Sequence, residues 1–233
     1  MIKKQALLLL FLASTLSALF LLALPNPVPA QTQNTCEGQF ISVSDPLNDL
    51  GDSEYVRLDE GPTGFRGGLY PDGENSRPPQ HEASGLAAAA QIQPLNGNGQ
   101  PAVDGRIVMI SVGMSNAAME FNEFINRARN DPDRNPAVRI INGAYPGRVT
   151  SYWLEPDSEA WDYVDQQLVD FGLTPAQVQV AWVKNVRTGG GQFPEKAELL
   201  QEDLAIIVRN LKIRYPNIKI AYLSSRTRSY TYW

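Results

Sequence analysis

Ser115 stands just beyond an apolar run. The segment Arg106-Ile-Val-Met-Ile-Ser-Val112 leads into Gly113-Met-Ser-Asn116, and a helical pattern follows at once. A strand that breaks at a glycine and offers a serine at a helix start exposes a hydroxyl to a carbonyl substrate. The free N–H groups and positive dipole of the helix N-terminus stabilise the anion that attack creates. Acyl transfer is the chemistry this suits, with the Ser115 N–H facing the oxyanion of a tetrahedral intermediate. The plainer alternative makes Ser115 an N-cap whose hydroxyl accepts the amide of Ala117 or Ala118.

Two later turns offer further donors. Ile140-Ile-Asn-Gly-Ala-Tyr-Pro-Gly147 ends a second apolar strand in small residues, where backbone can approach a ligand closely. Val178-Gln-Val-Ala-Trp-Val-Lys-Asn185 ends a third with an amide. The Gly143 N–H and the Asn185 amide would complete a three-donor oxyanion hole beside Ser115. Taken singly, Gly143 is a turn glycine and Asn185 a cap; their recurrence after successive strands is what points to a site. A serine hydroxyl also needs a general base near neutral pH, and no histidine follows Ser115. The single histidine, His81, lies in Arg77-Pro-Pro-Gln-His-Glu-Ala83. It could act as base only if that segment folds over the strand ends; otherwise it is a surface or packing residue.

Regular alternation from Arg106 onward supplies the scaffold for these turns. Strands are predicted at 106–112, 138–142, 178–183 and 218–223, each short and rich in Val and Ile. Helices are predicted at about 115–129, 157–171 and 195–214. In the last, Leu199, Leu200, Leu204, Ile207 and Leu211 recur at three- and four-residue spacing and define a buried face. Pro194 sits near its start and Pro216 after its end. Strands joined by single helices imply right-handed crossovers and a parallel sheet covered on both faces, an α/β/α sandwich of flavodoxin-like type. Ligands bind such sheets beyond the C-terminal strand ends, where Ser115, the 142–147 turn and Asn185 all fall.

The remainder of the 233 residues divides in two. Lys3 and Lys4, the apolar stretch Ala6–Leu24 and Val28-Pro-Ala30 read as a signal peptide over 1–30, cleaved before Gln31. The competing reading is an uncleaved anchor, since the run approaches the length of a bilayer span; no second long apolar run exists. A secreted or periplasmic bacterial protein is the expectation. From 31 to 105 the chain is rich in Gly, Pro, Asn, Asp and Ser, with turn chemistry at Glu60-Gly-Pro-Thr-Gly64, Tyr70-Pro-Asp-Gly73 and Asn96-Gly-Asn-Gly99. One short helix is expected over 85–92, and Phe40, Tyr55, Phe65 and Tyr70 predict an irregular arm wrapped on the α/β part, 106–233.

Twenty basic against 25 acidic residues give a net charge of −5, and loss of Lys3 and Lys4 with the leader makes it more acidic still. That balance argues against nucleic acid as a partner. Cys36 is the only cysteine, so no internal disulfide forms, and one histidine and one cysteine predict no metal or other cofactor.

At these residues the chain resembles the SGNH (GDSL-like) hydrolases, in a secreted bacterial branch whose serine block reads like "SVGMSNAAMEF" here. The likeness covers roughly residues 60–225 and includes "GGLYPDG", "INGAYPG", "LTPAQVQVAWVKN" and "YPNIKIAYLSSR". It implies Ser115 as nucleophile with its own N–H in the oxyanion hole, and Gly143 (or Gly147) and Asn185 as the other donors. Gly51-Asp-Ser53 spells the family's signature triplet but follows Val43-Ser-Asp-Pro-Leu-Asn-Asp-Leu50, which is not a buried strand. The family's C-terminal Asp-x-x-His pair has no counterpart before Trp233. The resemblance therefore implies an esterase or acetyl-esterase of a small ester or acylated glycan, catalytically incomplete in this chain as though its domain lacked a last quarter. Two alternatives stand beside it. One is an α/β-hydrolase elbow, since Gly113-Met-Ser-Asn-Ala117 is one residue from G-x-S-x-G. The other is a secreted carbohydrate-binding protein without chemistry, with Trp153, Trp161 and Trp182 suited to sugar stacking, although core packing is the more usual use of most of them.

Overall fold

The computed structural model describes residues 40–42, 46–56, 61–189, 191–224 and 230–232. The expected leader over 1–30 and Cys36 lie outside them. Among the described residues are eight strands and four α-helices: β1 Phe40–Ser42, β2 Glu54–Val56, β3 Pro62–Arg66, α1 Pro79–Ala89, β4 Ile107–Gly113, α2 Ser115–Arg129, β5 Val138–Ile141, α3 Glu159–Asp170, β6 Val178–Lys184, α4 Glu195–Arg214, β7 Ile220–Leu223 and β8 Tyr230–Tyr232.

The central sheet has the order β5-β4-β6-β7, and every pair in it is parallel. The α/β sandwich read from the strand–helix alternation is thus the fold. Numbered from β4, the order is 2-1-3-4, the flavodoxin-like arrangement, and its switch point lies between β4 and β6. The chain leaves β4 one way through α2 to β5. It then crosses back over β4 through α3 to β6, so the loops at the ends of β4 and β6 diverge and open a crevice.

Side chains alternate across the pleat, and the two faces are covered differently. Val108, Ile110 and Val112 of β4 share one core with Ala181 and Val183 of β6, Trp161, Val164 and Leu168 of α3, Ile207 and Leu211 of α4, and Tyr215 just after it. Trp153 and Trp161 meet edge to face in that core, centroids 5.0 Å apart. On the opposite face Phe121 of α2 stacks on Trp182 of β6, centroids 5.6 Å apart. Burying so many large side chains on one sheet supplies the core that a chain without an internal disulfide requires.

The segment before β4 is more regular than its composition indicates. β2 and β3 pair antiparallel, and α1 begins at Pro79, six residues before the expected helix, and ends at Ala89. Proline at the first helical position needs no N–H partner and has a helical φ already, so the helix starts ahead of the alanine-rich run on which it was expected. After α1 the chain runs along the N-terminal edge of the sheet. Gln179 exchanges two amide bonds with the Gln93 backbone, Gln177 donates to the Leu95 carbonyl at 2.8 Å, and Asn217 donates to that of Gly99. Phe193, just before α4, packs against Tyr55 and Phe65 of the β2–β3 hairpin.

Candidate active site

Gly113 creates the opening. It pairs with Lys184 across the β4–β6 seam, and a Cβ there would lie 2.1 Å from the Lys184 carbonyl oxygen and 2.7 Å from the Ala117 Cβ, at a φ of 157°. Only glycine lets β4 end against β6 while α2 starts immediately above it. Lys184 anchors the same seam from below the helix. Its side chain is 3% exposed, and its ammonium donates to both carboxylate oxygens of Glu120 at 2.6 Å. This pair ties the second turn of α2 to the end of β6 and so fixes where the helix begins.

Ser115 is the first residue of α2 and is exposed. The N-cap is Met114, without a side-chain cap bond, so the alternative role of Ser115 as N-cap does not hold. The first backbone bond of the turn runs from Ala118 N–H to Met114 O at 2.9 Å. The N–H groups of Ser115, Asn116 and Ala117 therefore have no carbonyl inside the helix. Beside them the Asn116 Oδ1 is buried, with no partner among the described residues.

Asn185, one residue past the Gly113–Lys184 pair, is 4% exposed. Its Oδ1 accepts the N–H of Val186 at 2.8 Å, which settles which end of the amide is oxygen. Its Nδ2 is buried and has no hydrogen-bond partner among the described residues. An unmade bond on a buried donor costs about 1–3 kcal/mol, and such groups call for an explanation. Neighbouring strands lie about 4.8 Å apart, so this free donor and the Ser115 turn cap adjacent strand ends at the crevice.

Gly143 departs from its expected role. Its N–H donates to the Ser111 hydroxyl at 3.1 Å, and Ala144 N–H to the same oxygen at 3.2 Å. Ser111 in turn donates to Asn142 Oδ1 at 2.8 Å, while Asn142 Nδ2 donates to Ala118 O and Asn122 Oδ1 on α2. The glycine is required for packing, since a Cβ would sit 2.7 Å from Ser111 O and 2.8 Å from Val164. The structure therefore brings Ser115, Gly143 and Asn185 to three adjacent strand ends, β4 in the middle, but engages the Gly143 N–H internally. Gly147, the other glycine considered, is exposed with φ 81° and open space around it. The network does hold the 142–145 turn over β4, where Tyr145 N–H donates to Gly113 O at 2.9 Å.

His81 is not joined to Ser115 by any hydrogen bond; it is exposed on α1 with its ring 5.9 Å from that of Tyr70. Ser115 itself has no side-chain hydrogen bond among the described residues. Ser53 of the Gly51-Asp-Ser53 triplet lies in an exposed turn entering the antiparallel hairpin, outside the four-stranded parallel sheet. Trp153 and Trp161 are fully buried and Trp182 lies under Phe121, so two of the three tryptophans offered for sugar stacking have no face to give.

Sequence reasoning passed over Ser111, Asn142, Glu120 and Lys184. The one visible signal was polarity inside apolar strands, a serine in the fifth position of the β4 run and a lysine at the end of β6. Among the described residues no group of three His, Cys, Asp or Glu side chains could hold a metal ion, and no helix is long and apolar enough to cross a membrane. No protein-family model, curated protein or solved structure matches this chain.

Proposed function

We propose that the β4–α2 turn is the nucleophile end of a serine ester hydrolase site of the SGNH type. Its substrate would be a small ester or acylated glycan met outside the cytoplasm. The observation that carries this reading is the Asn185 Nδ2, a buried donor without a partner at the strand end next to an exposed serine on a helix N-terminus. In the reaction Ser115 Oγ forms a bond to the ester carbonyl carbon, and the carbonyl oxygen becomes an oxyanion. The Ser115 N–H and the Asn185 amide receive that charge. Collapse expels the alkoxide and leaves an acyl-serine, which water cleaves.

The serine proton is the weak point. No described side chain accepts a hydrogen bond from Ser115, so the proton passes to solvent and attack on unactivated esters is slow. Two oxyanion donors without a positioned base support acyl transfer from activated reagents and little turnover otherwise.

Incubation with a fluorophosphonate, followed by peptide mapping, tests the reading. Ser115 should be the modified residue, and Ser115→Ala should remove the adduct without changing the fold. Label on other serines alone would refute the assignment. Rapid p-nitrophenyl acetate turnover that Ser115→Ala abolishes would overturn the low-turnover expectation.

A further inference from the structure

Three arginines meet at the N-terminal end of the sheet, opposite the end that carries Ser115. Arg139 lies in β5 beside Val108 of β4. Arg106 precedes Val108 by two residues, so the Arg106 and Arg139 side chains leave the sheet on the same face. With about 3.3 Å of rise per residue and about 4.8 Å between strands, their Cα atoms are roughly 8 Å apart. Arg134 joins them from the loop before β5. Its Nη2 donates to the Val138 carbonyl at 3.2 Å, and the Arg139 Nη1 donates to the same oxygen at 3.0 Å. One acceptor thus holds two guanidinium nitrogens within about 6 Å of each other, a range in which like charges repel.

The other bonds of the cluster also go to main-chain oxygens. Arg139 Nη1 donates to the Pro136 carbonyl at 2.8 Å, and Arg106 Nη1 to the carbonyls of Asp104 and Gly105 at 2.7 and 2.9 Å. Asp104, Asp131 and Asp133 are near in sequence and exposed. Even so, none of the three arginines forms an ion pair among the described residues. Arg148, Arg187 and Arg214 are half-buried too, and each of them has a carboxylate. Burial, then the charges of Arg106 and Arg134, lower the Arg139 pKa from its ordinary value. Among the described residues no nitrogen of the cluster is both shut off from solvent and without a partner, so the N–H groups that these bonds leave over are open to solvent.

We infer that Arg106, Arg134 and Arg139 form a binding site for a phosphoryl group, the dianion of free phosphate or of a phosphate monoester. A guanidinium fork fits two phosphate oxygens, and three cations without a counter-charge call for more than one negative charge. Edge protection accounts for part of the arrangement. The Ala137 carbonyl accepts the Ile107 N–H, so the next carbonyl, that of Val138, points away from β4, and cations over an edge strand discourage pairing with another chain. One arginine suffices for that role, and it leaves the convergence of three unexplained. The chain as a whole carries a net charge of −5, so phosphate held here is held by the cluster and not by overall charge. The site goes beyond the esterase reading of Ser115 and needs nothing from it.

The test titrates the full chain with inorganic phosphate, glucose 6-phosphate and acetate by calorimetry at fixed ionic strength. Phosphate should bind saturably and at least tenfold more tightly than acetate. Arg139→Gln should weaken it tenfold or more, and Arg106→Gln and Arg134→Gln threefold or more each. Arg209→Gln, which removes the same charge from an exposed position on α4, should leave it unchanged. If Arg139→Gln does not reproduce the parent's circular dichroism spectrum, the double variant Arg106→Gln with Arg134→Gln, which leaves β5 intact, decides with an expected loss of tenfold or more. Tighter binding of glucose 6-phosphate than of phosphate would assign the site to a phosphorylated sugar, and binding no tighter would assign it to the free anion; both uphold the site. Absence of saturable phosphate binding, no preference over acetate, or a loss in Arg209→Gln equal to that in the cluster variants would overturn it.

Discussion

Gly143 gives its N–H to the hydroxyl of Ser111, 3.1 Å away across the β4–β5 seam, and so holds the turn rather than a ligand. The Ser111 oxygen accepts from Ala144 as well. Replacing Ser111 with alanine therefore leaves the buried Gly143 N–H without an acceptor, and the Ala144 N–H with Asn142 Oδ1 alone. A loss of about 1–3 kcal/mol is expected, read as a lower urea midpoint. Because the freed turn also carries Tyr145 over Gly113, acylation at Ser115 should slow. Unchanged stability in Ser111→Ala would show that the turn finds other partners.

Asn185 separates donor from acceptor cleanly. Asn185→Asp keeps an oxygen for the Val186 N–H but removes the Nδ2 donor and adds charge where an oxyanion must form. Acylation by an activated ester should fall by about 10²–10³, the effect of losing one oxyanion donor. Asn185→Ala should lose as much activity and also leave the Val186 amide unpaired. If both variants acylate at the native rate, the amide has no part in the chemistry.

Gly113→Ala should be among the most damaging single-atom additions in the chain. The new methyl meets the Lys184 carbonyl oxygen at 2.1 Å, so β4 and β6 must separate or α2 must shift. A cost of about 3 kcal/mol is expected from strain and displaced packing, lowering Tm by roughly 6–12 °C. Circular dichroism melts of the two proteins give the answer. Ser115→Ala, at an exposed and unbonded side chain, should stay within about 0.5 kcal/mol of the parent.

Tyr215 makes stability fall in alkali. Burial, then the Asp165 carboxylate that accepts its hydroxyl at 3.0 Å, push its phenol well above the ordinary value near 10. In the unfolded chain the phenol ionises near pH 10 while the folded one stays protonated, so unfolding releases a proton above that pH. The contribution is complete below pH 10 and declines as pH rises toward the folded value. Urea midpoints should drop between about pH 9 and 11, and Tyr215→Phe should flatten that decline while lowering stability at pH 8 through loss of the Asp165 bond. An equally steep decline in Tyr215→Phe would assign it to other groups.

Much of the architecture was legible in the chain because it rests on local periodicity. The Val- and Ile-rich runs became β4 to β7 within two residues at each end, and the spacing of Leu204, Ile207 and Leu211 marked the buried side of α4. The helix expected over 85–92 starts instead at Pro79, because its first turn, Pro79-Gln-His-Glu82, carries no apolar periodicity to mark it. Core packing, the use the sequence favours for most of the tryptophans, is what Trp153 and Trp161 have, although nothing local distinguishes an aromatic side chain that faces a crevice from one that faces a core.

The sequence by itself determined which residues reach the C-terminal ends of the strands, since one-dimensional alternation of strand and helix dictates a parallel sheet and places Ser115, Gly143 and Asn185 on its rim. Only the tertiary structure decided which of their hydrogen-bonding groups are still available. Donors and acceptors are used up by neighbours brought in from far along the chain, Ser111 for Gly143 and Glu120 for Lys184. Among the described residues, the Ser115 hydroxyl and the Asn185 Nδ2 are two of the groups on that rim that folding leaves without partners.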